Sequence, residues 1–427
     1  MADYTQMWQG LGLDLETHSA VLDLVGKSYQ DVFLTQKNRP EGMGYFDFVM
    51  SEIHGLRIKE LLDAKGEGRK IVGTFCVFVP EEIVIALNAV CVGLCAGAEL
   101  GFDAAEEYLP RNTCSLIKSA FGFKLAKVCP YIESTDMIVG ENTCDGKKKA
   151  YESYKDLVGN LYVMDIPQMK SSSGRGLLKA EYIRFAQALE ELTGNKLTVE
   201  GLKKGIEIVN NKRKAILRLG RLRAANPVPV SGLDVLLANQ VYFYDDPIRF
   251  TNSVNAICDE LEKRIEDGIG VFPKDTPRIL ISGCPMAIPN WKLPHLIETS
   301  GATIVGEEMC TGERGTRNLS DPSGETTDEL IEGIVDRYMK IDCAIFTPNQ
   351  SRYDHIKEMA EKYKAQGVIN YTLQFCQPYQ NEAMTFGKQL EEEGIPVLNL
   401  ETDYSQEDVG QLKTRIEAFI ERIKQNG

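Results

Sequence analysis

At 427 residues the chain is too long for one ordinary hydrophobic core and implies two or three domains. A formal net charge of −14 excludes the basic-faced partnership with nucleic acid, and 43% hydrophobic with 26% charged side chains is ordinary globular composition. Eleven cysteines, an odd number with no C-x-x-C spacing, exclude a secreted disulfide scaffold, a zinc ribbon and a thioredoxin-like site.

The first thirty residues carry acidic side chains and have no basic segment leading into an apolar one, so no secretory signal is expected and the expected location is cytoplasmic. Residues 1–70 have helical periodicity, carry many charges and end in a GEGRK turn. Residues 71–165 alternate strand and helix patterns: IVGTFCVF, PEEIVIALNA, VCVGLC, SLIKSAFGFKLA, DMIVGEN and LYVMDIP. Pro80 ahead of Glu81 and Glu82 starts a helix, because proline suits the first turn and acids suit the positive end of the dipole. The apolar stretch 83–98 contains Asn88 and Gly93 and changes period midway, so it reads as a helix followed by a strand and not as a membrane span.

Residues 166–277 form a mainly helical middle segment, with apolar positions at three-to-four spacing in LLKAEYIRFAQALEEL and LTVEGLKKGIEIVNNKRKAILRL. Residues 278–427 return to alternation through RILISG, HLIETSG, ATIVGEE, IVDRYMK, DCAIFTP, HIKEMAEKYKAQ, GVINYTLQF, FGKQLEEEG and IPVLNLET. They close on a helix with one apolar stripe, Val409, Leu412, Ile416, Phe419 and Ile423.

The cysteines repeat with the strands. Cys76, Cys95 and Cys144 follow β-branched runs in the first alternating region; Cys284, Cys310 and Cys376 follow them in the second. Cys114, in PRNTCSLIKSAFG, opens a helix. Open α/β sheets bind ligands outside the carboxyl ends of their strands. The expected fold class is therefore α/β, with two doubly wound parallel-sheet domains of flavodoxin or Rossmann type. They face one another across a cleft lined by thiols, and helical N-terminal and middle segments accompany them. So many thiols on one edge, in a chain with only four histidines, point to iron–sulfur chemistry.

The segments RNTCSLIKSAFGF with Cys114, VGENTCDGKKK with Cys144 and LQFCQPY with Cys376 resemble the 2-hydroxyacyl-CoA dehydratase and benzoyl-CoA reductase family. The resemblance runs over nearly the whole chain. It implies one [4Fe–4S] cubane held by those three cysteines, with an iron position open to substrate. GTFCVFVPEEI, LCAG, KVCPY, GCPM, EEMCTGERG and the tail ETDYSQEDVGQLKTRIEAF are most similar to a narrower branch, the double-cubane cluster proteins. That branch implies two cubanes joined by a sulfide into an [8Fe–9S] cluster held by six cysteines. It also implies a homodimer, electrons from an ATP-hydrolysing reductase that carries its own [4Fe–4S] cluster, and low-potential reduction of small molecules such as acetylene, azide or hydrazine. The chain has no P-loop of its own for driving such a reduction.

For the second cubane the strand-edge positions favour Cys76, Cys284 and Cys310, with Cys95 in reserve. Cys129 is set aside because the helix after Cys114 should carry the chain to the opposite edge. Cys91, Cys258 and Cys343 read as buried core thiols. Lys147, Lys148 and Lys149, with Arg314 and Arg317, are candidate cations beside an anionic cluster; a lysine run is more often a solvated face. The SSSGRG stretch at 171–176 reads as a surface loop, and His18, His54, His295 and His355 as surface or packing residues. Glu307 and Glu308 are candidate proton donors or, equally, a solvated strand-end pair. Two other readings stand beside the double cubane. One is a single-cubane dehydratase subunit with an unlike partner, and the other is a non-catalytic electron-transfer protein.

Overall fold

The computed structural model describes residues 3–426. Its frame is two four-stranded sheets, parallel throughout. The first contains β1 (Ile71–Thr74), β2 (Val90–Gly93), β3 (Met137–Glu141) and β4 (Leu161–Met164) in the order β2-β1-β3-β4. The second contains β5 (Arg278–Gly283), β6 (Thr303–Glu308), β7 (Gly367–Leu373) and β8 (Val397–Thr402) in the order β6-β5-β7-β8. The two orders are the same, so the repeat in the cysteine pattern is a repeat of topology. Each chain reversal at the first strand of a sheet creates a crevice at the carboxyl edge, between β1 and β3 and between β5 and β7.

Strands β1, β5, β6 and β7 are buried at every position, and β3 at all but its first, as parallel strands covered by helices are. Gly283 ends β5 at φ +135, and a Cβ there would stand 1.8 Å from the Tyr371 carbonyl on β7. Only glycine permits that approach. The middle segment supplies the helices Ser172–Thr193, Val199–Leu222, Gly232–Val241 and Pro247–Glu266. Gly232–Val241 is buried at all ten positions, which explains its lack of a polar face. The segment after it closes the first sheet: Gly93 N–H donates to Phe243 O at 2.7 Å. The largest core cluster draws on both halves, from Phe75 and Val92 to Trp291 and Ile369.

One expected strand is absent. Residues 342–348, DCAIFTP, form turns. Both edges of β7 are occupied, by β5 and β8, so this segment does not pair beside it. It leans on the first half instead: Thr347 N–H donates to Gln168 O at 3.0 Å, and Lys170 pairs with Asp342 at 2.7 Å. Among the described residues no helix is long and apolar enough to cross a membrane.

Candidate metal centre

The carboxyl edges of the two sheets enclose one cavity of about 520 Å³. Seven thiols line it: Cys76, Cys95, Cys114 and Cys144 from the first half, and Cys310, Cys343 and Cys376 from the second. Six of them form two groups of neighbours, Cys114, Cys144 and Cys376, and Cys76, Cys310 and Cys343; Cys95 also neighbours Cys310, and Cys284, outside the lining, neighbours Cys376.

Three thiols of the first group stand at helix N-termini. Cys114 caps Ser115–Leu125, Cys144 caps Asp145–Val158 and Cys376 caps Gln377–Glu392. Lys147 N–H donates to Cys144 Sγ at 3.4 Å. The free N–H groups and positive dipole of a helix start favour thiolate over thiol. Cys376 is aimed by Phe375, whose φ of +65 turns the chain at about 1–2 kcal/mol of backbone strain.

In the second group Cys310 and Cys343 meet a buried cation network. Arg314 Nη1 lies 3.8 Å from Cys310 Sγ and also bonds the Tyr379 hydroxyl, which lies 3.7 Å from Cys343 Sγ. Arg314 pairs with Glu308 at 2.6 Å, and Arg352 with the same carboxylate at 3.1 Å. Burial alone would raise Glu308, but Arg314 and Arg352 outweigh it and hold the carboxyl down to about 2. Glu307 points to the opposite face of β6, where Arg223 holds it at 2.5 Å. Both residues are therefore buried ion-pair members, not the proton donors or the solvated pair considered from sequence.

The remaining candidates are placed as follows. Cys284 is buried outside the lining, accepting from Leu373 N–H at 3.4 Å, and reaches the cavity only through its neighbour Cys376. Cys95 lines the cavity but donates its thiol hydrogen to Phe75 O at 3.0 Å, and burial pushes it up to about 12. Cys129, Cys91 and Cys258 are outside the lining. Of the lysine run only Lys147 turns inward, pairing with buried Glu141 at 3.1 Å; Lys148 and Lys149 pair at the surface with Asp145 and Glu152. Arg317 faces Asp342 and Glu358. Ser171 caps its helix by accepting from Gly174 N–H, which makes SSSGRG a helix start. His18 and His54 pack as a pair 3.0 Å apart.

Cys343, read from sequence as a buried core thiol, is buried and also lines the cavity. The signal for that placement was the adjoining T-P-N, Thr347 to Asn349, which marks DCAIFTP as a turn that can be aimed at a neighbour.

Burial pushes Cys76 well above a normal thiol, and Cys310 is also raised by burial. Cys114 is raised by the hydrogen-bonding Cys376 thiol and then by burial. Nucleophilic cysteines need the opposite shift. A buried thiol of this kind ionises when it coordinates a metal, because coordination deprotonates a thiol outright. Among the described residues no three His, Cys, Asp or Glu side chains converge as ligands of a single ion do. Ligands of a cluster surround a body of several atoms and need not converge on one point, and seven thiols line this one cavity.

Two parallel α/β halves of one topology, closed around a thiol-lined cleft, define the class. The chain belongs to the 2-hydroxyacyl-CoA dehydratase family: the family described as "2-hydroxyglutaryl-CoA dehydratase, D-component" matches residues 76–423, beginning at Cys76. It is 37% identical over 366 residues to a putative dehydratase subunit of Escherichia coli (strain K12), covering 85% of this chain and 94% of that protein. It is 28% identical to the (R)-phenyllactyl-CoA dehydratase beta subunit of Clostridium sporogenes, covering 83% and 92%. It is 22% identical to a benzoyl-CoA reductase subunit of Thauera aromatica, covering 83% and 91%. The family is thus one of dehydratase and reductase subunits.

Proposed function

We propose that the chain is the iron–sulfur component of a low-potential reductase and carries a sulfide-bridged double-cubane [8Fe–9S] cluster. The observation that carries the reading is the convergence of two groups of thiols, each drawn from both halves, on one cavity. Cys114, Cys144 and Cys376 hold one cubane. Cys76, Cys310 and Cys343 hold the other, with Cys343 taking the place that strand-edge reasoning gave to Cys284. When bound, the cluster supplies one-electron reduction, with its potential set by charge and hydrogen bonds at the sulfurs.

The chain's own residues tune that chemistry. Helix starts and Lys147 favour the thiolates of the first group; Arg314 and Tyr379 place donors beside the second. The cavity admits small molecules of the acetylene, azide or hydrazine kind. Electrons come from an ATP-hydrolysing [4Fe–4S] reductase, and the working unit is a cytoplasmic homodimer. The test is anaerobic iron and sulfide determination with EPR, where about eight irons per chain are expected. About four would favour the second reading, a single-cubane dehydratase subunit with an unlike partner, which the names of the dehydratase relatives support. Full iron without reduction of acetylene or azide by the reductase-coupled protein would leave an electron-transfer role.

A further inference from the structure

A second chamber of about 40 Å³ adjoins the main cavity and shares Thr74, Cys76, Gly93 and Phe243 with it as a common wall. Glu81, Lys212 and Tyr242 also line it. A water needs about 10–15 Å³ of such space, so the chamber has room for about three. Ordered water also needs polar partners. Lys212 Nζ binds both carboxylate oxygens of Glu81, at 2.8 and 3.0 Å, which leaves a third ammonium hydrogen free. Unlike the hydroxyls of Tyr151, Tyr154 and Tyr404, which are sealed, the hydroxyl of Tyr242 is accessible, and it has no protein partner among the described residues. Lys212 Nζ stands 3.9 Å from the centroid of the Tyr242 ring. Thr74 Oγ1 donates to Val92 O at 3.4 Å and keeps its lone pairs.

The chamber joins two environments. The Glu81 side chain is 14% exposed and meets solvent, while Lys212 is only 3% exposed. Thr74 and Cys76 stand in the wall of the main cavity. That cavity has few proton sources of its own. Apart from thiols, Tyr244 and Tyr379, its ionisable side chains are Lys147, paired with Glu141, and Asp145, 94% exposed at the rim. Reduction of a multiple bond by two electrons takes up two protons, which must come from solvent.

We propose that the chamber is the proton entrance to the main cavity, with water running from Glu81 and Lys212 past Tyr242 to Thr74. The proposal rests on the reductase reading above. For acetylene, the partner reductase supplies two electrons and the chamber two protons. One carbon–carbon π bond breaks, two C–H bonds form and ethylene leaves. Each proton delivered is replaced from bulk solvent through Glu81, which returns Lys212 to ammonium.

A high-resolution crystal structure of the full chain should show ordered water linking Lys212 Nζ, the Tyr242 hydroxyl and Thr74 Oγ1. A dry or interrupted chamber overturns the proposal. Tyr242→Phe and Glu81→Gln should take up as much iron as wild type and accept electrons from the reductase at the wild-type rate. Acetylene reduction should fall by about a hundredfold in both, and its solvent deuterium isotope effect should rise. Electron uptake that falls together with turnover would make these residues structural, and unchanged turnover would put the proton entrance elsewhere; either result overturns the proposal. Should Glu81→Gln not fold, Tyr242→Phe decides alone, since it removes one hydroxyl with no protein partner. An iron-loaded wild type that reduces neither acetylene nor azide would refute the reductase reading itself, and the proposal with it.

Discussion

At the scale of single residues, Cys284 and Cys343 separate position in the sequence from position in space. Cys284 follows β5 as Cys76 follows β1, yet its Sγ is already committed to the Leu373 N–H and lies outside the cavity lining. Cys343 follows no strand, yet it stands in the wall among Cys76, Cys310 and Tyr379. Under the proposed assignment, Cys343→Ser should lower iron to about half while a cubane EPR signal persists. Cys284→Ser should keep full iron. The reverse pattern would restore the strand-edge assignment. Arg314 makes a second residue-scale case. It is buried, always charged and beside Cys310, so Arg314→Gln should shift the second half of the cluster to more negative potential in redox titrations. An unchanged potential would reduce Arg314 to a structural ion-pair partner of Glu308.

At the scale of elements, the short helix Glu81–Ala86 follows Cys76 and is tied into the molecule by a buried pair. Glu82 accepts from Arg213 at 2.7 Å, from Ser320 at 2.8 Å and from Tyr338 at 2.9 Å. Removing one partner of a buried ion pair costs about 3–5 kcal/mol, so Glu82→Gln should lower stability by that order in denaturant titration. Burial raises Glu82, but Arg213 and Arg337 outweigh it and hold it below its ordinary 4.5. The unfolded chain therefore takes up the proton first as acid is added. This pair's contribution is full above about pH 4.5 and is lost as the pH falls through the lower folded value. Wild type should lose stability faster than Glu82→Gln over that acid range; parallel curves would contradict the assignment.

What the sequence shows of these elements follows from locality. Short apolar runs mark the eight strands, most of them rich in β-branched residues, and Pro80 with its two acids marks a helix start, because both signals lie within a few residues. DCAIFTP misleads for the opposite reason. Its composition suits a strand, but β5 and β8 already flank β7, and Thr347 N–H bonds Gln168 O of the first half instead. Alternation along β6 sends Glu307 and Glu308 to opposite faces, but which arginines meet them depends on residues 223, 314 and 352, brought together by the fold.

At the scale of the whole molecule, neither half owns the cavity. The first group of thiols takes two members from the first half and one from the second; the second group takes one and two. The halves also meet directly, through the shared core cluster and through bonds such as Gly97 N–H to Ile288 O at 2.8 Å. A cluster bound by both halves therefore acts as a cross-link, and a group that binds only the folded state adds its binding free energy to stability. Iron removal by an anaerobic chelator should lower the thermal midpoint. Hydrogen exchange should rise at the cavity segments around Cys114, Cys144, Cys343 and Cys376, all of which lie at helix starts or turns with few ladder bonds of their own. The N-terminal helices Leu15–Tyr29 and Leu56–Gly66 contribute no cavity residue and should exchange as before. Exchange that rises uniformly would mean that the chelated protein unfolds as a whole. Exchange that stays constant at all four segments would mean that the bound group holds nothing together, and a cluster shared between the halves would be excluded.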